Sequence, residues 1–424
     1  MKNKTYRIIY SLGLLFIFLL QSSTLSAQNA HSAPAQVVRT GIDMLQEQQF
    51  KLLEGKRVGL ITNPTGFDRK MKSTVDILNE ALNVNLVALF GPEHGVRGDA
   101  HAGDRVGDMV DSKTGITVYS LYGATRKPTK EMLEGIDILV YDIQDVGCRS
   151  YTYISTMGLA MEAAAANDIE FVVLDRPNPL GGERVEGAIV EEGFISFVSQ
   201  FKIPYIYGLT CGELAMMLNE EGMLSGKCKL HIVQMEGWRR DMLFEETGLQ
   251  WVAPSPHIPN PMTALFYPAS GLLGELYYIS VGVGYTIPFE MFAAEWIDAG
   301  AFADRLNSYS IPGLYFRPLH IKPFYSVGTG KNLSGVQIHL LDKKRAPLSE
   351  VQFYVMQAIA ELYPNKAVFN NADPRRFRMF DQVGGSDKIR LNFSQRNRFE
   401  DIKKYWYKDA ESFKKLSAKY YLYR

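Results

Sequence analysis

A glutamate and a histidine lie side by side on a short, glycine-flanked loop, in the run FGPEHG at residues 90–95. The run follows an apolar, strand-like segment at residues 84–90. Ligands of an open α/β sheet bind outside the carboxyl ends of its strands, so Glu93 and His94 are placed where a substrate would bind. A carboxyl group there could donate a proton to a leaving group, and the imidazole could position the substrate or the acid.

Polar side chains also follow three other strand-like segments of the N-terminal half. Because parallel strands end at the same edge of a sheet, we predict that these side chains converge on one cleft. The candidates are Asn63, Asp142, Asp145, Arg149, Tyr151, Tyr153, Arg176, Asn178 and Glu186. For Asn63, which precedes a proline-containing turn, a capping role in that turn is the competing interpretation.

Two kinds of hydrolytic chemistry fit these residue types. Paired carboxyl groups suit glycosidic hydrolysis, in which one protonates the leaving oxygen and another activates water or attacks the sugar. Alternatively, imidazole and carboxylate groups on the loop after residue 93 could bind a divalent metal for hydrolysis. The ligands would then come from His94, Asp99, His101 and Asp104. The residue types alone leave both chemistries open.

Other functions are disfavoured by patterns that the chain lacks. Neither GxGxxG nor GxxxxGK[ST] follows a strand, so we predict no nucleotide and no other cofactor. No GxSxG elbow of a serine hydrolase and no CxxC or HExxH zinc pattern occurs. The 46 basic and 46 acidic residues give a net charge of zero, which argues against a nucleic-acid partner.

The elements that would position these residues alternate between strand and helix, which predicts an α/β fold with a Rossmann-like parallel sheet in the N-terminal domain. The predicted strands are residues 57–62, 84–90, 116–121, 136–143 and 171–175, and the predicted helices are 73–82, 129–133 and 157–166.

Four prolines at residues 254–261 exclude regular structure there and mark the best domain boundary. We predict a Rossmann-like catalytic domain at residues 36–260 and a smaller α/β domain at residues 261–424. In the second domain the predicted strands are 314–316 and 336–341, and the predicted helices are 350–362 and 400–416.

The N-terminus has the parts of a secretory signal peptide. Lys2, Lys4 and Arg7 precede an apolar stretch too short to span a membrane, and small residues precede a cleavage site after Ala27. We therefore predict a signal peptide at residues 1–27 and export to the periplasm or beyond the cell. The odd count of three cysteines predicts separate buried thiols, with a Cys211–Cys228 disulfide as the alternative.

Several long segments resemble one known family. They include LFGPEHGVRGDAHAGDRVGD at residues 89–108, DILVYDIQDVGCRSYTYISTMG at 137–158, VVLDRPNPLGGERVEG at 172–187 and WVAPSPHIP at 251–259. With the resemblance extending over about residues 41–390, the chain is similar to the exported exo-β-N-acetylmuramidases. These enzymes remove N-acetylmuramic acid from the non-reducing ends of peptidoglycan fragments.

The resemblance implies a Rossmann-like domain and a smaller α/β domain with the active site between them. It also implies that Glu93 is the leading catalytic carboxylate, here expected to be the general acid. The second carboxylate stays open among Asp142, Asp145 and Glu186, and the acetamido group of the substrate could itself be the nucleophile.

N-acetylmuramic acid carries a lactyl carboxylate that N-acetylglucosamine lacks, and a bidentate arginine would recognise it. We expect this arginine to be Arg149 or Arg176, with Arg97 and Arg105 as further candidates, although structural ion pairs are the competing interpretation. If their segment is extended, Tyr151 and Tyr153 share one face and could stack on the sugar.

One segment departs from the family pattern. Where the family commonly has Asn and Arg in a glycine-rich segment, this chain has Tyr278 and Val283, and His257 replaces the usual Asn after PSP. We therefore expect a changed substrate preference or a changed subsite beyond the scissile bond. A metal-dependent hydrolase and a non-catalytic binder of cell-wall fragments are the alternative functions.

Overall fold

The computed structural model of the protein describes residues 37–98 and 109–424. Val38–Arg424 forms one compact unit. It contains a seven-stranded, mostly parallel sheet and a three-stranded antiparallel sheet. These two sheets confirm the predicted α/β class, with a large parallel sheet in the N-terminal half and a smaller mixed region after it.

The large sheet has the strand order β3-β4-β2-β1-β5-β6-β7. Its pairs are parallel except for the edge pair β3–β4. The strands are β1 (Arg57–Thr62), β2 (Asn85–Gly91), β3 (Met109–Val110), β4 (Thr117–Ser120), β5 (Ile138–Asp142), β6 (Glu170–Leu174) and β7 (Lys229–Val233). After β4 the chain crosses to the other side of β1, so the strand order reverses beside β1 and opens a crevice at the carboxyl ends.

Helices cover both faces of this sheet, as its continuous apolar strands require. In β5, Leu139 and Tyr141 belong to one core cluster, whereas Ile138 and Val140 belong to the cluster on the opposite face. The helices of this half are α1 (Gly41–Glu47), α2 (Thr74–Glu80), α3 (Tyr153–Ala166) and α4 (Cys211–Glu220). Helices α1 and α2 pack on one face, and α3 and α4 pack on the other.

The prediction of a helix at residues 129–133 was wrong. These residues form a hydrogen-bonded turn in which the Leu133 N–H donates to the carbonyls of Thr129 and Lys130. The six residues between Pro128 and the left-handed Gly135 are too few to form a stable helix without support from packing. Sequence patterns also missed α4 and β7, which lie beyond the clearest strand–helix alternation.

The smaller sheet has the order β8-β10-β9 and is antiparallel throughout. Its strands are β8 (Met291–Ala294), β9 (Leu314–Ile321) and β10 (Leu333–Leu340). The helices around it are α5 (Pro261–Gly274), α6 (Ala299–Ser308), α7 (Val351–Leu362), α8 (Val368–Asn371), α9 (Phe377–Gly384), α10 (Asp387–Arg396), α11 (Glu400–Trp406) and α12 (Ala410–Ser417).

The predicted helix at residues 400–416 is divided into α11 and α12. The division lets Trp406 pack in the core of the smaller region while Phe413 packs against the large sheet. The tail then returns to the large sheet, where the Tyr423 hydroxyl donates to the Asp175 carboxylate at 2.6 Å. The terminal segment is therefore a packing element that ties the two halves together.

The proline-rich segment before α5 contains no helix or strand. Helix α5 begins at Pro261, a residue favoured in the first turn of a helix. The Asn260 side chain caps the helix by accepting a hydrogen bond from the Thr263 N–H. The division into domains at residue 260 stays a prediction.

The three cysteines are buried free thiols, which confirms the expectation of separate thiols and not a Cys211–Cys228 disulfide. None of the helices in residues 37–98 and 109–424 is long and apolar enough to cross a membrane.

Candidate active site

A cavity of about 460 Å³ opens at the carboxyl ends of β2 and β5 and extends to α5. This volume lies within the range of small-ligand sites. Its lining comprises Glu93, His94, Tyr122, Arg126, Ser150, Tyr151, Thr152, Tyr153, Ser196, Phe197, Val198, Ser255, His257, Ile258, Tyr267, Glu275, Phe289, Met379 and Gln382. Both halves of the chain therefore contribute walls to one cavity.

The loop after β2 presents Glu93 to this cavity through a tight turn. The Gly95 N–H donates to the Pro92 carbonyl at 2.9 Å, and both His94 and Gly95 have positive φ angles of 74° and 75°. A positive φ is uncommon for histidine and costs about 1–3 kcal/mol, so the surrounding structure holds this turn in place. Thr152, at the start of α3, donates its hydroxyl to Glu93 Oε2 at 3.2 Å.

Tyr122 lies beside Glu93 on the loop that follows β4. Burial, followed by the negative charge of Glu93, raises the pKa of Tyr122 to about 12, and the charge of Arg126 opposes this shift. The phenol therefore stays protonated at neutral pH and can donate a hydrogen bond within the cavity. Tyr122 was not among the residues singled out in the sequence.

Glu275 supplies a second carboxyl group to the cavity wall, and the sequence candidates missed it. It follows directly after α5 and also lines a neighbouring cavity of about 210 Å³. Burial raises the pKa of Glu275, and Arg376, whose guanidinium lies 3.4 Å from Glu275 Oε2, partly opposes the shift. The sequence did contain a signal for Glu275, because this residue lies at the start of the glycine-rich segment in which Tyr278 and Val283 depart from the family pattern.

Aromatic rings form the floor between these two carboxyl groups. Tyr151 packs edge-on against Tyr153 and Tyr267, with ring centroids 5.0 and 5.5 Å apart, and Tyr267 packs against Phe289 at 5.0 Å. Burial raises the pKa of Tyr267 well above its usual value, and the charges of Glu275 and Glu93 add to the shift. Tyr267 therefore lies within electrostatic reach of both carboxyl groups.

The three carboxylates proposed from the sequence as the second catalytic group do not line the cavity. Asp142 is fully buried in an ion pair with Arg176, whose Nε donates to Oδ1 at 2.6 Å. Asp145 accepts hydrogen bonds from the Tyr207 hydroxyl and from the Gly147 N–H. Glu186 accepts from the backbone and hydroxyl of Ser349 and from Arg184. Their hydrogen bonds give all three a structural role.

The arginines proposed to recognise the lactyl carboxylate form structural hydrogen bonds and ion pairs away from the cavity. Arg149 is 1% exposed and donates to the carbonyls of Ala188, Ile203 and Val383 and to the Ser199 hydroxyl. Arg176 is paired with Asp142 and donates to the Phe67 carbonyl. Arg97 forms a two-point pair with Asp111. None of these three arginines lines the cavity, and Arg105 lies outside the described residues.

Two of the predicted binding residues stabilise turns. The Asn63 side chain accepts hydrogen bonds from the Thr65 backbone and hydroxyl, which is the competing role weighed for it. Asn178 donates to the Leu209 carbonyl and accepts from the Leu180 N–H. Neither residue lines the cavity.

The altered C-terminal segment contributes less to the cavity than expected. The Tyr278 hydroxyl donates to the Lys366 carbonyl and its ring packs against Trp296, so it lies outside both cavities. Val283 lines the neighbouring cavity. His257 lines both cavities, with Nε2 2.7 Å from the Tyr325 hydroxyl.

Of the predicted metal ligands, only His94 belongs to the described residues; Asp99, His101 and Asp104 lie outside them. In the part of the chain that the structure describes, no cluster of three or more histidine, cysteine, aspartate or glutamate residues has the geometry of a metal site.

The buried Asp145 should make the stability of the protein depend on pH. Burial raises its pKa to about 6, above the value near 3.9 of an unfolded chain. The stabilisation is complete below about pH 4 and is lost as the pH rises through 6, because the folded state binds the proton more tightly. In urea unfolding, Asp145→Asn should therefore flatten the decline of the unfolding free energy between pH 4 and 7.

Asp137→Asn is the control for this measurement. The exposed Asp137 pairs with Arg57, which lowers its pKa to about 2, so it does not titrate between pH 4 and 7. An unchanged decline in Asp145→Asn, matching that of the control, would contradict the assignment.

Comparisons with known proteins show the family to which the chain belongs. Residues 58–262 match the family model described as exo-beta-N-acetylmuramidase NamZ, N-terminal, and residues 265–423 match its C-terminal counterpart. The chain is 43% identical to the peptidoglycan beta-N-acetylmuramidase NamZ of Bacillus subtilis, over 97% of this chain and 98% of that one.

Two crystal structures of DUF1343 family proteins from Bacteroides fragilis are similar to this chain. One is 65% identical with a TM-score of 0.89, and the alignment covers 92% of this chain and all of that one. The other is 30% identical with a TM-score of 0.72, covering 91% of this chain and 99% of that one. From the two matching domain models and the near full-length relative, the chain belongs to the NamZ family of exo-beta-N-acetylmuramidases.

Proposed function

We propose that this protein is a glycosidase that releases N-acetylmuramic acid from the non-reducing ends of peptidoglycan fragments. The observation that carries the proposal is one cavity of about 460 Å³ with two glutamate side chains, Glu93 and Glu275, on walls from different halves of the chain. Two carboxyl groups around a sugar-sized cavity match the requirements of glycosidic hydrolysis. Family membership supports the same activity and substrate class.

Glu93 is the general acid in this proposal. Its carboxyl group gives a proton to the glycosidic oxygen as the bond from that oxygen to the anomeric carbon breaks. The Thr152 hydroxyl, 3.2 Å from Oε2, orients the carboxyl group. The tight turn at His94 and Gly95 keeps the backbone of Glu93 fixed during the reaction.

Glu275 is the proton acceptor. The group that attacks the anomeric carbon is either water or the acetamido oxygen of the substrate, and Glu275 takes up the proton that the attacking group releases. Burial makes this carboxylate a stronger base by raising its pKa. With water as the attacking group, one proton leaves Glu93 and one arrives at Glu275, and proton exchange with solvent restores the pair. With the acetamido oxygen, a cyclic intermediate forms first; water then opens it, giving its proton to Glu93 while Glu275 returns the amide proton.

The remaining walls suit a sugar ring. Tyr151, Tyr267 and Phe289 offer aromatic surface to the apolar face of a pyranose. Ser196 lines the cavity with a buried hydroxyl oxygen that has no hydrogen-bond partner among the described residues. A buried hydroxyl without a protein partner is costly, and a sugar hydroxyl in the cavity would supply one.

The activity is tested by incubating the purified chain with a disaccharide that carries N-acetylmuramic acid at its non-reducing end. We expect free N-acetylmuramic acid by mass spectrometry, at an undiminished rate after exhaustive chelation of divalent metals. A disaccharide with N-acetylmuramic acid at the reducing end should stay intact. Loss of activity on chelation would instead favour the metal-dependent alternative, and tight binding without turnover would favour a binding protein.

We also propose that residues 1–27 direct export of the chain from the cytoplasm to the compartment that contains the peptidoglycan fragments. The basic start, the apolar stretch and the small residues before Ala27 support this proposal. N-terminal sequencing of the exported protein should begin at residue 28.

A further inference from the structure

Arg126 is the only lysine or arginine among the described residues that line the cavity. It lies on the loop after β4, four residues beyond Tyr122, and its side chain is exposed. It forms no ion pair with a carboxylate in the described part of the chain, whereas Arg97, Arg149 and Arg176 are all engaged. The cavity therefore presents one cation whose charge no described carboxylate neutralises.

The guanidinium of Arg126 is held in place by an aromatic ring. Its Cζ lies 4.3 Å from the ring centroid of Phe197, another residue of the cavity wall. Stacking on a ring face leaves the N–H groups at the edge of the guanidinium free to donate. A planar fork of donors in a fixed orientation is suited to two-point recognition of a carboxylate.

Arg126 and Glu93 line the same cavity, and both lie near Tyr122. The Tyr122 ring packs 6.4 Å from that of Phe197, and its hydroxyl responds to the charges of both Glu93 and Arg126. The acid and the cation thus both lie close enough to Tyr122 to influence its hydroxyl. In N-acetylmuramic acid the lactyl group is attached through an oxygen to C3, two bonds from the anomeric carbon, so its carboxylate and the scissile bond belong to the same sugar and can meet two different groups of one cavity.

We propose that Arg126 binds the lactyl carboxylate of N-acetylmuramic acid and makes the enzyme selective for this sugar over N-acetylglucosamine. The inference rests on the proposed function, because it places the anomeric carbon beside Glu93. It replaces the sequence-based assignment of this role to Arg149 or Arg176. Arg126 contacts the substrate away from the reacting atoms, so it determines specificity and is not part of the proton transfer.

The test compares two substrates that differ only at the lactyl group: the 4-nitrophenyl glycoside of N-acetylmuramic acid and its lactyl methyl ester. The unaltered enzyme should prefer the free acid by about 10- to 100-fold in kcat/KM, the range of a charge-assisted hydrogen-bonded pair. In Arg126→Gln this preference should fall to about threefold or less, mainly through loss of activity on the acid. Because Arg126 is exposed and forms no ion pair within residues 37–98 and 109–424, the variant should unfold at the same urea concentration.

Arg378→Gln is the matched control. Arg378 also stacks on a phenylalanine, 5.0 Å from the Phe194 ring centroid, but it does not line the cavity, so the preference for the acid should be unchanged. A full preference for the acid in Arg126→Gln would overturn the proposal. An equal loss on both substrates would also overturn it, since Arg126 would then act on Glu93.

Failure of the proposed function would look different. The unaltered chain would then hydrolyse neither substrate, and calorimetric titration with N-acetylmuramic acid and its methyl ester would still test Arg126. If the unaltered chain binds the ester more weakly than the acid, and Arg126→Gln removes this difference, the contact is supported even without activity. Equal binding of both compounds by the unaltered chain would refute it.

Discussion

Glu93→Gln should lower kcat on a muramyl disaccharide by about 10²–10⁴-fold, the contribution of a positioned general acid. Glutamine keeps the size of the side chain and can still accept a hydrogen bond from Thr152, but it cannot donate a proton to the glycosidic oxygen. The loss should be much smaller with a 4-nitrophenyl glycoside, because the acidic phenol leaves without protonation. Steady-state kinetics on both substrates measure this difference.

Glu275→Gln provides the contrast. If Glu275 accepts the proton of the attacking group, its replacement should slow both substrates by a similar factor, because attack precedes or accompanies departure of either leaving group. Glu192→Gln, a change at an exposed side chain outside the cavity, should leave both rates unaltered. Full activity of Glu93→Gln would refute its role, and an equal loss on both leaving groups would exclude it as the acid.

Arg176→Gln should reduce the free energy of unfolding by about 3–5 kcal/mol, the cost of leaving a buried charge without its partner. The carboxylate concerned is Asp142, which is fully buried and accepts two hydrogen bonds from the Arg176 guanidinium at 2.6 and 2.9 Å. Urea unfolding of the mature chain measures the loss. KM of the folded fraction should stay within about twofold, because Arg176 does not line the cavity.

The sheet offers a matched control for this prediction. Arg57 and Asp137 form a similar two-point pair, but their side chains are 52% and 41% exposed and screened by solvent, so Arg57→Gln should cost far less stability than Arg176→Gln. The double variant Asp142→Leu with Arg176→Met should recover much of the stability lost in Arg176→Gln. Similar losses in Arg57→Gln and Arg176→Gln would contradict the assignment, as would a large increase in KM for Arg176→Gln.

Five of the seven strands of the large sheet could be predicted closely from the sequence, whereas β3 and β7 were missed. Strand β1 has the predicted bounds, and the other predicted strands of this sheet differ at their ends by one or two residues. Continuous apolar runs between polar loops leave little choice, because a strand buried on both faces must be apolar throughout. The placement of Glu93 and His94 at a strand end followed from the same pattern.

The helices were less predictable where tertiary packing sets their ends. Residues 400–416 have one continuous helical pattern, yet the chain is divided so that Trp406 and Phe413 enter different cores. No feature of the local sequence shows that these two side chains pack in different cores. The run at residues 129–133 shows the opposite case, a helical composition too short to form a helix.

The parallel sheet, the position of Glu93 at its edge and the resemblance to the family could all be read from the amino-acid sequence. Which of the polar groups at that edge face the cavity depends on contacts across the fold. Asp142 and Arg176 neutralise each other in the interior, while Glu275 and Arg126 reach the cavity from segments far from Glu93 in the chain. The physical reason is that residue type and spacing show which groups can ionise, whereas the contacts made across the fold decide which of them are paired and buried and which stay available to a substrate.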